Sequence, residues 1–168
     1  MKALIKKGIL QRLTARVSAG LSFIEFNYLA NHSTPDAAWI RNIYILLSFY
    51  TELLLKAIYV YEKQYSSRVK LDKTLTNQRH NLERIAKDIG PTVLAKYGIT
   101  EVKTLRTHEY RIVTDIGTFY VKDFVDIRYD FLVPRVRKLK GSEHAMFETQ
   151  IRALNRINAF LKGPAWNN

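Results

Sequence analysis

Residues 36 to 64 read "DAAWIRNIYILLSFYTELLLKAIYVYEKQ", and apolar side chains recur through this stretch every three or four positions. Such spacing places the apolar side chains on one face of an α-helix, which can then pack against a core. Pro35 and Asp36 favour a helix start here, because proline suits the first helical position and a carboxylate stabilises the positive end. We therefore predict a helix over 36–64 whose packed face carries Trp39, Ile43, Leu46, Tyr50, Leu53, Ala57 and Tyr61.

Two further long helices follow from the same period. The segment 3–30 carries the stripe Leu10, Leu13, Val17, Leu21, Ile24 and Tyr28. Gly20 interrupts it with a weak helix former. The start of this segment is basic, as in an organelle transit peptide, but we interpret it as the first helix. The segment 143–162 carries Phe147, Ile151, Leu154, Ile157 and Leu161 before a Gly-Pro stop.

The chain between the long helices is predicted to form shorter elements. Residues 66–80 are polar and basic, which is typical of a loop. Short helices are predicted from Asn81 to Gly90 and from Pro91 to Gly98, followed by a β-hairpin over 109–122 and a short helical run before Pro134. Short connections favour antiparallel neighbours. The predicted fold is therefore all-α, a single domain over 1–168 that forms an up-and-down helical bundle with a small inserted hairpin.

The composition indicates a basic, folded protein. Lys and Arg number 27 against 15 Asp and Glu, which gives a formal net charge of +12. Such a surplus favours a polyanionic partner, with nucleic acid first and an anionic membrane surface second. The chain has no cysteine, so a disulfide or a thiolate site is excluded, and we expect a cytoplasmic protein. No apolar run is expected to span a membrane, and the histidines lack metal-ligand spacing, so we expect neither a metal nor a cofactor.

Cations concentrate in three clusters. One lies in the loop between Arg68 and Arg79, and another on the first helix at Lys6, Lys7, Arg12 and Arg16. The third is a tract without an acidic residue until Glu143, and it consists of Arg135, Arg137, Lys138 and Lys140. Clusters of this kind contact phosphates without reading sequence, and such binding weakens steeply with salt.

Three motifs occur in a fixed order. "FYTELLLKAIYVYE" carries Glu52 and Lys56 one helical turn apart, "RHNLERIAKDIG" places His80 just before a helix, and "DIRYDF" contains Arg128 and Tyr129. Over roughly residues 20 to 162 this order resembles the HEPN domain, the higher eukaryote and prokaryote nucleotide-binding fold. The resemblance implies a helical bundle that commonly homodimerises. It also implies either a binding module for RNA or nucleotides or a metal-independent RNase. Such proteins occur in toxin–antitoxin, phage-defence and RNA-processing systems, with an antitoxin or a nucleotidyltransferase as possible partner.

The RNases of this family use an arginine followed four to six residues later by a histidine. Arginine stays charged and can stabilise a phosphorane, and histidine can move protons near neutral pH. Arg128 matches the "RY" motif but has no histidine at that distance, whereas Arg137 and His144 have six residues between them. Arg137 and His144 are therefore the candidate catalytic pair, and Arg79 and His80 are adjacent rather than spaced.

Structural roles compete with functional ones at the same residues. Glu52 and Lys56 are predicted to form an intrahelical ion pair or to hold Arg128, with the ring of Tyr129 packed nearby. Nucleic-acid contacts are assigned to Arg128, Arg135, Arg137, Lys138, Lys140, Arg79 and His80. The favoured function is a noncatalytic or weakly catalytic binding module. The alternatives are a metal-independent RNase and a membrane-surface protein that uses the basic first helix.

Overall fold

The computed structural model describes residues 3–30, 37–63, 67–106, 109–122 and 141–166. These residues form six helices, which are α1 (Ala3–Ala30), α2 (Ala37–Glu62), α3 (Arg68–Gln78), α4 (Leu82–Ile89), α5 (Pro91–Lys96) and α6 (Gly141–Trp166). They also form three strands, which are β1 (Ile99–Arg106), β2 (Glu109–Thr114) and β3 (Thr118–Lys122). The three predicted long helices are confirmed, with ends that differ by a few residues at most.

The core lies where α1, α2 and α6 pack on one another. Side chains with no exposed surface fill this interface, among them Leu21, Ile24, Leu47, Ile58 and Phe147. α2 also packs against α4 and β3, so it is covered on more than one side. Its most buried residues therefore include Leu47 and Leu54 beside the predicted stripe, whereas Leu46 and Leu53 are only partly buried. The single-stripe prediction for α2 was too narrow for this reason.

α2 is also long and apolar enough, by length and composition alone, to cross a membrane over Asn42–Glu62. The expectation that no run reaches this length was therefore wrong. About 61% of this segment is buried inside the protein, as is typical of the core helix of a folded domain. Glu52 and Lys56 lie within the segment and bond to each other.

The predicted loop over 66–80 is wrong, because residues 68–78 form helix α3. Ser67 caps it, since its hydroxyl accepts from the backbone N–H of Lys70 at 3.3 Å. Leu71 is fully buried and anchors the helix, but most of the other side chains are exposed. The following helix α4 agrees with the prediction, with Asn81 as its N-cap and Gly90 as its C-cap.

A three-stranded antiparallel sheet in the order β1-β2-β3 replaces the simple hairpin. The predicted hairpin is present as β2 and β3, and its inward residues Tyr110, Ile112, Phe119 and Val121 are buried. β1 was not predicted, because only Ile99 among its eight residues is fully buried and its apolar alternation is weak. The fold is thus mostly helical with a small sheet, which is roughly compatible with the predicted helical bundle and inserted hairpin and adds one strand to it.

Glu83 of α4 ties the helix to the sheet. The backbone N–H of Thr104 on β1 donates to Glu83 Oε2 at 3.1 Å, and the Thr104 hydroxyl donates to the same oxygen. Lys87 lies 3.0 Å away on the other carboxylate oxygen. These donors, led by the Thr104 hydroxyl, lower the pKa of Glu83 to about 2 from its usual value of 4.5. The carboxylate therefore stabilises the contact in its charged form.

We expect this contact to make the protein sensitive to acid. The folded pKa of Glu83 lies below the unfolded value, so protons bind the unfolded chain more tightly. The stabilisation is fully present above pH 4.5 and is lost as the pH falls towards about 2. Urea unfolding of the wild type should show this loss, and Glu83→Gln should flatten the dependence. Glu148→Gln, at an exposed carboxylate of α6, serves as the control, and an identical profile for the two variants would contradict the prediction.

Candidate functional site

A buried carboxylate, Glu52 of α2, bonds to two side chains, those of Lys56 and His80. Its side chain is 6% exposed, Lys56 Nζ lies 2.6 Å from its Oε1 atom, and His80 Nδ1 lies 2.9 Å from its Oε2 atom. Glu52 and Lys56 are one turn apart on α2, whereas His80 comes from the turn between α3 and α4. The three side chains form one cluster, although 28 residues separate Glu52 from His80.

Glu52 fixes the orientation of the His80 ring. Because a carboxylate only accepts hydrogen bonds, Nδ1 of His80 must carry the proton that it donates to Glu52. The His80 side chain is 39% exposed, so the ring extends from the buried carboxylate towards the surface. A carboxylate that holds one nitrogen of a histidine in this way sets the tautomer and the position of the other nitrogen.

The turn that carries His80 has an unusual backbone. Arg79 has φ 50° and ψ −131°, and it is the one non-glycine residue with positive φ in the part of the chain that the structure describes. These angles match the first central position of a type II′ turn, which glycine normally occupies. The N–H of Asn81 donates to the carbonyl of Gln78 at 3.3 Å and closes the turn.

Bonds on both sides of the turn hold Arg79 in this conformation. Gln78 is buried and its Nε2 atom donates to Asp88 Oδ2 at 2.9 Å. The N–H of Arg79 donates to the carbonyl of Thr76 at 3.1 Å, and the Asn81 side chain caps α4. Such a backbone costs on the order of 1–3 kcal/mol for a residue with a side chain, so the surroundings must compensate for it. Strain of this kind occurs most often at functional sites.

Lys56, Arg79 and His80 line one side of an open cleft of about 600 Å³ between α2 and α3. Asp72, Leu75 and Thr76 of α3 complete its wall. Arg68 lies 3.6 Å from Asp72 and offsets its charge, as Glu52 offsets that of Lys56. The cleft therefore contains one cation, Arg79, that no carboxylate of the described residues neutralises, with the ring of His80 beside it.

Further cations lie on the surfaces of α3 and α4. Lys70, Lys73 and Arg84 are exposed, and no carboxylate of the described residues forms an ion pair with them. These cations add to the positive charge of the two helices that flank the cleft turn. This surface corresponds to the basic cluster that the sequence places between Arg68 and Arg79, now carried by a helix.

The remaining candidate residues are outside the described part of the chain. Arg128, Tyr129, Arg135, Arg137, Lys138 and Lys140 lie there, as does the predicted helical run before Pro134. His144 belongs to α6, but its side chain is outside the description as well. Sequence reasoning missed the cleft because it treated α3 as a loop. The spacing of Leu71, Leu75 and Gln78 was the available signal for a helix.

Among the described residues no group of His, Asp or Glu is arranged to hold a metal ion. The cleft offers one carboxylate at its wall, and Glu52 behind it is engaged by Lys56 and His80. Comparison of the chain with family models, curated proteins and solved structures found no match. The geometry of the cleft and the charge of the chain are therefore the properties that indicate its function.

Proposed function

We propose that this protein binds RNA or a related phosphate ligand, and that the cleft at Lys56, Arg79 and His80 is its contact site. The observation that carries the proposal is Arg79, an arginine in a strained backbone position beside a histidine that a buried carboxylate orients. A guanidinium binds two phosphate oxygens at once, and Arg79 places one in the cleft.

Charge supports the same function. The net charge of +12 and the exposed cations Lys70, Lys73 and Arg84 on α3 and α4 favour the approach of a polyanion. Contacts to phosphates release counterions, so the affinity should fall steeply as salt rises. The resemblance of the Glu52, Lys56 and His80 segments to HEPN domains is in keeping with a nucleic-acid or nucleotide-binding module.

Arg79→Gly is expected to separate stability from binding. Glycine adopts the backbone of Arg79 without strain, so the variant should gain on the order of 1 kcal/mol in free energy of unfolding. The same change removes the guanidinium from the cleft and should weaken the binding of single-stranded RNA about tenfold. Urea unfolding measures the first effect, and fluorescence anisotropy with labelled RNA at low salt in the presence of a chelator measures the second.

Arg152→Gln is the matched control for this experiment, because it removes an exposed arginine of α6 whose Nε bonds only its own helix among the described residues. It should change RNA affinity by no more than about twofold. The proposal would be wrong if Arg79→Gly bound RNA as tightly as the wild type, or if both variants lost affinity equally. Wild-type protein that binds no RNA at low salt would also rule it out.

A metal-independent RNase is the second candidate, and the bond between Glu52 and His80 is the observation that favours it. Cleavage by the 2′-hydroxyl needs a proton acceptor, a proton donor and a cation for the phosphorane. His80 with Arg79 and Lys56 contains these functional groups in one cleft. The same binding mixtures, run on a denaturing gel, distinguish the two functions. RNA fragments that the wild type produces and His80→Asn does not would establish the RNase. RNA that stays intact with the wild type would leave a binding module.

The pair that the sequence singled out, Arg137 and His144, is tested on the same gel. Fragments that disappear in Arg137→Ala/His144→Ala but persist in His80→Asn would place the chemistry at that pair rather than at the cleft. This comparison therefore separates the two candidate RNase sites from each other.

A further inference from the structure

The solvent face of the sheet carries an aromatic side chain between cations. The strand register places Lys103 of β1 opposite Arg111 of β2, and Arg111 opposite Tyr120 of β3. Directly opposed residues share one face of a sheet. The neighbouring residues on β2 and β3 are buried in the core, so Lys103, Arg111 and Tyr120 point away from it.

Cations exceed carboxylates on this face. On one side of Lys103, Arg111 and Tyr120, the residues paired across the three strands are Arg106, Glu109 and Lys122. On the other side they are Glu101, Val113 and Thr118. Lys122 pairs with Glu109 at 3.3 Å, and Arg111 pairs with Glu101 at 2.6 Å. These pairs use both carboxylates, which leaves Lys103 and Arg106 without an ion pair among the described residues.

The ring of Tyr120 is 49% exposed, although the side chains before and after it on β3 are buried. The exposed part of this ring therefore does not contribute to the packing of the core. An exposed aromatic ring on a sheet, flanked by cations at the spacing of adjacent strands, suits a nucleobase that stacks while its phosphates meet the cations. A protein partner would find fewer apolar contacts, since apart from the half-buried Val113 the paired residues of this face are charged or polar.

We propose that this face, defined by Lys103, Arg111 and Tyr120, is a stacking platform for single-stranded nucleic acid. The proposal rests on the proposed function and adds a second contact to it. A base stacks on Tyr120, and the adjacent phosphates lie at Lys103 and at Nη1 of Arg111, whose Nε and Nη2 atoms donate to Glu101. Because stacking is indifferent to base identity, the platform contributes affinity for single strands without sequence preference.

Helix α4 connects the platform to the cleft. Its N-cap, Asn81, follows His80 directly, and its first-turn residue Glu83 bonds to Thr104 on β1. Thr104 is the neighbour of Lys103 along the same strand. Thr104 lies opposite the buried Tyr110, so Glu83 contacts the inner face of β1, whereas Lys103 lies on its solvent face.

The test compares two probes on the same variants. One probe is a fluorescein-labelled oligo(U), and the other is an abasic oligomer of equal length and charge. Tyr120→Ala should weaken the binding of oligo(U) about tenfold and leave that of the abasic probe unchanged. Tyr120→Phe should bind oligo(U) as tightly as the wild type, because it keeps the ring. Lys103→Ala should weaken both probes and reduce the salt dependence. Phe26→Ala, which removes another exposed ring, on α1, is the matched control and should change neither.

The outcomes separate the platform from the cleft. The platform would be overturned if Tyr120→Ala lost affinity equally for both probes, or for neither. The effect of Arg79→Gly would still support the cleft in that case. Binding of neither probe by the wild type would overturn the platform together with the proposed function. An equal effect of Phe26→Ala would show that the loss of any exposed ring suffices, and the platform would again be overturned.

Discussion

Replacing Glu52 by alanine is expected to lower the free energy of unfolding by about 3 kcal/mol. The change leaves the Lys56 ammonium partly buried without the carboxylate that lies 2.6 Å from it, and it removes the hydrogen-bond acceptor of His80 Nδ1. The cost of a buried charge that has lost its partner exceeds the attraction that the pair provided. Chemical denaturation at neutral pH measures this loss directly.

The double variant Glu52→Leu/Lys56→Leu is the informative control. Replacement of a buried ion pair by apolar side chains of similar volume is often neutral, so this protein should lie within about 1 kcal/mol of the wild type. Lys56→Leu alone should cost less than Glu52→Ala, because Glu52 keeps His80 as a partner. A double variant as unstable as Glu52→Ala would show that the pair itself stabilises the fold.

If the pair contributes little to stability, its place in α2 needs another explanation. The orientation of His80 supplies one, since Glu52 is the acceptor that holds the ring at the edge of the cleft. The neutral double variant should therefore bind RNA more weakly than the wild type while it unfolds normally. This combination would connect the pair of Glu52 and Lys56, as a unit, to binding rather than to folding.

The long helices could be predicted because their apolar periodicity continues for many turns. α3 and β1 could not, for a common physical reason. Both are mostly solvent-exposed, with Leu71 and Gln78 as the buried residues of α3 and Ile99 as that of β1. An element that buries so little apolar surface leaves only a weak pattern in the sequence. Its position is determined by caps and tertiary bonds, such as Ser67 on α3 and Glu83 with Thr104 on β1.

The site was predictable to the extent that it is local. Glu52 and Lys56 lie four residues apart on a helix, and that spacing alone predicts a pair. His80 joins them only through the packing of α2 against the start of α4, which no local pattern encodes. The backbone of Arg79 was equally hidden, because a type II′ turn is normally indicated by glycine and this turn has arginine instead.

Gly20→Ala is expected to destabilise the protein by about 2 kcal/mol. A β-carbon at residue 20 would lie 1.9 Å from Cζ of Tyr50 and 2.0 Å from its hydroxyl oxygen. The ring is nearly buried between α1 and α2, so it cannot move without strain in the core, which costs about 3 kcal/mol. The higher helix propensity of alanine offsets about 1 kcal/mol of this destabilisation. Thermal and urea unfolding measure the net effect.

Gly8→Ala provides the matched control in the same helix. No atom lies within 4 Å of a β-carbon at residue 8, so the variant should be stabilised by up to about 1 kcal/mol through propensity alone. In a Tyr50→Leu background Gly20→Ala should destabilise the protein less, because the ring that the added β-carbon would contact is absent. Equal behaviour of the two glycine variants would contradict the close packing of α1 on Tyr50. The opposite effects expected here would show that α1 has a glycine at residue 20 because Tyr50 of α2 fills the space of its missing side chain.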